Sequence, residues 1–132
     1  MSDMGDITEK RKVLFVEDNE IQRFIIEDML KDDYDVYQAK SGVEALKYLF
    51  NNEFVPSLVL LDIMMPDMDG WEIFHRIRGI SLLKNVPIAF ITALAEPSDE
   101  ERAYEIGAVD FIRKPFEKKE LLSRIKNILE KK

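Results

Sequence analysis

The sequence predicts an α/β fold: a parallel sheet of five strands, each followed by a helix, with helices on both faces. Three observations carry this. Several short apolar runs are continuous rather than alternating, as in strands buried on both faces. Between them lie segments with apolar residues at helical spacing, most of them opened by Asn, Ser or Asp with Gln or Glu three residues on. The two patterns alternate along the chain, and right-handed crossovers then place helices on both sides of the sheet.

Bulk composition bounds the function classes. A chain of 132 residues with 46% apolar and 34% charged side chains suits one globular domain. No apolar run reaches membrane-spanning length and no secretory h-region opens the chain, so a cytoplasmic protein without a membrane partner is expected. Cysteine is absent, which excludes disulfides and thiolate chemistry. The net charge of -7 argues against direct nucleic-acid binding. Lys118, Lys119, Lys131 and Lys132 read as solvated helix charges.

Residues 1–10 are polar and aperiodic, a flexible leader to a domain over 11–132. The run from Lys12 to Val16 is the first buried strand. Asn19 with Gln22 opens a helix whose apolar face is read as Ile21, Phe24, Ile25, Met29 and Leu30. Tyr34 to Ala39 alternates in part, which suits a strand nearer the sheet edge. Ser41 and Glu44 start the second helix, marked by Val43, Leu46, Leu49 and Phe50. Ser57 to Leu61 is the central strand. Asp69 and Glu72 start the third helix, with Ile73, Phe74, Ile77 and Ile80 on one face. Pro87 to Ile91 is the fourth strand. Pro97 or Ser98, with Glu101, starts the fourth helix and Gly107 ends it. Val109 to Ile112 is the fifth strand, and Glu117 to Lys132 the last helix, with Leu121, Leu122, Ile125, Ile128 and Leu129 in phase.

The chemistry gathers where strands end. Glu17 and Asp18 follow the first strand, Asp62 the third, Thr92 the fourth and Lys114 the fifth. In open α/β sheets ligands bind outside the carboxyl ends of strands. If the first and third strands are neighbours, Glu17, Asp18 and Asp62 converge. Converging carboxylates repel unless one is protonated or a cation lies between them. An all-oxygen set without histidine suits Mg²⁺ rather than zinc. With Lys114 to neutralise oxygens and Thr92 to donate a hydrogen bond, the set is suited to a phosphoryl group, and Asp62 is the natural nucleophile.

Four motifs at fitting intervals support this: Val16-Glu17-Asp18-Asn19, Leu60-Leu61-Asp62-Ile63-Met64-Met65-Pro66-Asp67-Met68-Asp69-Gly70, Ile91-Thr92-Ala93 and Lys114-Pro115-Phe116. In combination the chain resembles a response-regulator receiver domain, the CheY-like family of two-component signalling, over about residues 11 to 131. The resemblance implies a (βα)5 flavodoxin-like three-layer fold with strand order 2-1-3-4-5. It implies that Asp62 is the phosphoacceptor and that Glu17, Asp18, Asp62 and the backbone carbonyl of Met64 bind Mg²⁺, Glu17 more through water. Thr92 and Phe111 would be the switch pair, Phe111 turning inward as Thr92 moves, and Lys114 the family's lysine. A cis bond at Lys114-Pro115 is frequent in the family. The output surface would be the face of helix four, strand five and helix five, with Arg102, Tyr104, Phe111 and Lys118 near it. The implied partners are a sensor histidine kinase or histidine phosphotransfer protein, and a downstream effector protein or missing effector domain; the domain would be a monomer or a phosphorylation-dependent dimer. It would catalyse only its own aspartyl phosphorylation and dephosphorylation. Met64 and Leu94 are apolar where the family often has polar residues, which predicts a long-lived phosphorylated form.

Other classes fit less well. A receiver-like protein-binding module that works without phosphorylation would not need the full set of acids, threonine and lysine. A flavodoxin-like cofactor binder needs a phosphate-cradling loop after the first strand, and Glu17-Asp18-Asn19-Glu20 has the wrong charge. A phosphatase with an Asp-x-Asp motif lacks its second acid at Met64. Asp67 reads as a turn residue, His75 as a solvated helix residue, and Trp71 as a half-exposed core or contact residue.

Overall fold

The computed structural model describes residues 10–51, 54–93 and 96–130; the expected leader, Leu94 and the Lys131-Lys132 tail lie wholly or mostly outside them. Five strands alternate with five helices: β1 Lys12–Val16, α1 Glu20–Leu30, β2 Asp35–Ala39, α2 Gly42–Leu49, β3 Leu58–Leu61, α3 Gly70–Arg78, β4 Ile88–Thr92, α4 Pro97–Glu105, β5 Asp110–Arg113 and α5 Lys118–Glu130. The sheet is parallel, in the order β2-β1-β3-β4-β5. One element was not foreseen, a 3-10 turn over Ser81–Leu83 that buries Leu83 between α3 and β4.

Side chains alternate across the sheet and build two cores. Leu14, Val16, Val59, Leu61 and Phe90 face α2, α3 and α4, meeting Leu46, Leu49, Ile73, Phe74, Ile77 and Ala103. Val13, Phe15, Leu58, Leu60, Ala89 and Ile91 face α1 and α5, meeting Ile26, Leu30, Leu121 and Ile125. Each buried Leu or Ile contributes roughly 2 kcal/mol through removal from water. Burial on both faces explains the unbroken apolar runs of β1, β3 and β4.

The expected face of α1 needs correcting. Its buried residues are Ile26 and Leu30, one turn apart, with Met29 packed beside them. Ile21 and Phe24 are each 69% exposed and Ile25 39%. Apolar residues spread over more than half of the circumference of this helix, so periodicity alone does not single out the buried side; Phe24 lies two residues before Ile26, more than half a turn away. α4 starts at Pro97, as expected. Pro97 occupies its first turn and Glu96 gives it no side-chain cap. Its end is as expected: Gly107 has φ 109, and the N–H groups of Gly107 and Ala108 donate to the carbonyls of Tyr104 and Ala103.

Candidate functional site

The sheet order sets the site. β1 pairs with both β2 and β3, Val16 lying opposite Ala39 and Leu61. The chain therefore leaves β1 and β3 toward opposite faces, and the gap between the strand ends is the switch point of the sheet. Glu17 and Asp62 stand there side by side, as the Asp62 N–H donates to the Val16 carbonyl at 3.1 Å.

Both carboxylates are buried, Glu17 2% and Asp62 6% exposed. Lys114, in the β5–α5 loop, bridges them: Nζ donates to Glu17 Oε1 at 2.6 Å and Asp62 Oδ2 at 2.9 Å. Its backbone N–H donates to the Thr92 carbonyl at 2.9 Å, which ties the loop to the end of β4. The Lys114-Pro115 peptide is cis. Asp62 Oδ1 accepts from the Met64 N–H at 3.2 Å, and Glu17 Oε2 from the Asn19 N–H at 3.1 Å.

The charges do not balance. Burial, and then the hydrogen bond with Asp62, push the Glu17 carboxyl well above the usual carboxylate range, with Lys114 acting against them. For Lys114, burial favours the neutral amine, but hydrogen bonds to Glu17 and Asp62 outweigh it and raise the ammonium above its ordinary value. Two buried carboxyl groups thus share one ammonium, and the strain of that surplus falls on Glu17, which holds a proton more readily than an ordinary carboxyl.

The predicted residues divide into those the fold brings together and those it leaves apart. Glu17, Asp62 and Lys114 form one cluster. Thr92 is fully buried at the end of β4. Phe111 is 2% exposed and paired in register with Phe90, so its ring already lies in the core, with the Arg113 guanidinium 5.6 Å from the ring centre. Asp18 does not converge with the other two acids. It is exposed, and among the described residues no three acidic or histidine side chains come together closely enough to grip an ion by themselves. The Met64 side chain is 63% exposed while its N–H holds Asp62. The donor set still suits Mg²⁺: it is all oxygen, holds more carboxyl groups than Lys114 can pair and has few protein ligands, as that hydrated ion prefers.

Two residues near the site have roles that the sequence did not reveal. Gly70 presses on the backbone that carries Asp62. A Cβ there would lie 2.5 Å from the Asp62 carbonyl oxygen and 2.8 Å from Ile63 Cα, while the Gly70 N–H donates to the Ile63 carbonyl at 2.8 Å. Glycine at a helix start, where it weakens the helix, was the available signal. Asp67, read as a turn residue, caps another helix: its carboxylate accepts from the N–H groups of Gly42 and Val43 at 3.3 and 3.2 Å, at the start of α2. Nearby, Trp71 packs on Phe90 at 4.9 Å between ring centres and lies 4.1 Å beneath the Arg102 guanidinium. His75 is exposed, as expected.

Comparison with known proteins agrees with the geometry. The family model described as "Response regulator receiver domain" matches residues 13–126. The "Probable transcriptional regulator ycf27" of Porphyra purpurea is 43% identical over 122 residues, covering 92% of this chain and 48% of that protein. "Histidine kinase P4" of Formosa agariphila is 39% identical over 126 residues, covering 94% of this chain and 9% of that protein. This chain therefore spans about half of one relative and under a tenth of the other. The receiver domain of the sensor histidine kinase PA1611 from Pseudomonas aeruginosa PAO1, solved with magnesium coordinated in its active site cleft, superposes with a TM-score of 0.84 at 28% identity, covering 93% of this chain and all of that one. Among the described residues no helix is long and apolar enough to cross a membrane. Sheet order, strand-end cluster and family match converge: the chain belongs to the response regulator receiver domain family of two-component signalling.

Proposed function

We propose that this domain is a phosphoacceptor switch in which Asp62 takes a phosphoryl group from a phosphohistidine. The histidine N–P bond breaks, leaving its electron pair on nitrogen, and an O–P bond forms on an Asp62 carboxylate oxygen. The observation that carries the reading is the Lys114 ammonium, which donates to both Asp62 and Glu17 at the switch point of the sheet. On phosphorylation it exchanges its bond to Asp62 for one to a phosphoryl oxygen. The Met64 N–H orients the nucleophile by holding its other oxygen. Glu17, Asp18, Asp62 and the Met64 carbonyl would hold Mg²⁺, which supplies charge neutralisation at the phosphoryl oxygens. Burial strengthens each of these electrostatic interactions relative to water.

Thr92 follows the new charge and Phe111 relays the change to the face built by α4, β5 and α5. That face carries Arg102, Tyr104 and Lys118 exposed. A sensor histidine kinase or histidine phosphotransfer protein is the donor. The reader is an effector protein or an effector domain in the same polypeptide, in keeping with relatives much longer than this chain. Water later removes the phosphoryl group, so the domain turns over only itself.

Intact mass after incubation with acetyl phosphate and Mg²⁺ tests the reading. One phosphoryl gain in the wild type, dependent on Mg²⁺ and lost in Asp62→Asn, is expected. No gain in a folded, Mg²⁺-binding wild type would favour a binding module that works unphosphorylated. Gain in both proteins would move the acceptor elsewhere.

A further inference from the structure

Two main-chain carbonyls in the acidic loop share one donor. Arg23, in the first turn of α1, directs Nη1 at the carbonyl oxygens of Glu17 at 2.8 Å and Asp18 at 2.9 Å. A cation so near a helix start runs against the helix dipole, which favours negative groups there. The rest of the loop is held by other means. The Glu17 N–H donates to the Ala39 carbonyl at 3.0 Å, the Asn19 N–H to the Glu17 side chain, and the Asn19 side chain accepts from the Gln22 N–H. The Asp18 carboxylate is exposed and has no hydrogen bond or ion pair among the described residues. Its direction is therefore set by its backbone, and that backbone is clamped by Arg23.

We propose that Arg23 is a positioning residue for cation binding: by gripping the carbonyls of Glu17 and Asp18 it holds the acidic pair in place for the ion. This rests on the Mg²⁺-dependent reading above. It opposes the simpler electrostatic expectation, under which a guanidinium beside the acids repels the ion and its removal tightens binding.

Isothermal titration calorimetry of Mg²⁺ into the unphosphorylated wild type, Arg23→Met, Arg23→Gln and Arg23→Lys decides between them, with thermal melts in chelator alongside. Supports behind metal ligands are typically worth at least tenfold in affinity, so Arg23→Met should bind about tenfold more weakly. Arg23→Gln, with its shorter reach and no charge, should also be weaker, and Arg23→Lys should recover most of the loss. Should Arg23→Met fail to fold, Arg23→Gln supplies the same contrast. Equal or tighter binding by the neutral variants overturns the inference, as does a lowered melting temperature with unchanged affinity. Absence of Mg²⁺ binding in the wild type overturns the functional reading and this inference with it; binding that the variants leave unchanged overturns this inference alone.

Discussion

Helices α3 and α4 pack on the same face of the sheet, yet they are held by different physics. α3 buries Gly70, Ile73, Phe74 and Ile77, and its N-cap Asp69 accepts from the Glu72 N–H at 2.9 Å. α4 buries only Ala103 and has no side-chain cap. Polar and ring contacts hold it instead: Arg102 over Trp71, Glu100 to Arg113 at 2.6 Å, and the Tyr104 hydroxyl donating to Asp110 at 3.2 Å. Apolar burial is hard to exchange for anything water offers, whereas exposed polar contacts are nearly matched by hydration. The helix that presses on the Asp62 backbone is thus fixed, and the helix on the proposed output face is loosely tied, as elements that move must be.

Four substitutions sharpen or break this contrast. Ile77→Ala, which empties a fully buried site in α3, should cost about 3 kcal/mol in urea unfolding; a loss below 1 kcal/mol would mean that α3 is no better anchored than α4. Gly70→Ala should come next, at about 2 kcal/mol, because the new methyl meets main-chain atoms that have no rotamer to escape through. It should also slow acetyl phosphate labelling of Asp62, and normal labelling with unchanged stability would remove Gly70 from the site. Asp69→Ala, which deletes the α3 cap, should cost about 1 kcal/mol by thermal melting. Glu100→Ala breaks an ion pair whose side chains are 41% and 37% exposed, and should change stability by about 0.5 kcal/mol or less. A loss of 2 kcal/mol there would show α4 to be firmly pinned.

The strand-end chemistry was legible because it lies in local patterns. β1, β3 and β4 are apolar runs that stop at Glu17, Asp62 and Thr92, and Lys114 follows β5. Gly107 marked the end of α4 for a local reason, its positive φ. The buried side of α1 was not legible, because Ile21, Phe24, Ile25, Ile26, Met29 and Leu30 spread over more than half of the helix circumference and only the sheet chooses Ile26 and Leu30. Asp67 has turn chemistry in the sequence and a capping role in the fold, since its partners Gly42 and Val43 lie on a different helix.

Sequence by itself determined the class of the fold, its five strand-helix units, the family and the residue types at the strand ends, because periodicity and turn chemistry are properties of neighbours along the chain. Tertiary structure alone decided that Lys114 bridges Glu17 and Asp62, that Asp18 stays at the surface, that Arg23 grips the acidic loop, and that Gly70 touches the Asp62 backbone. Each is a matter of where a side chain, or its lack, falls across space, and that is set only when the β1, β3 and β5 ends and the α1 and α3 starts are packed around one sheet.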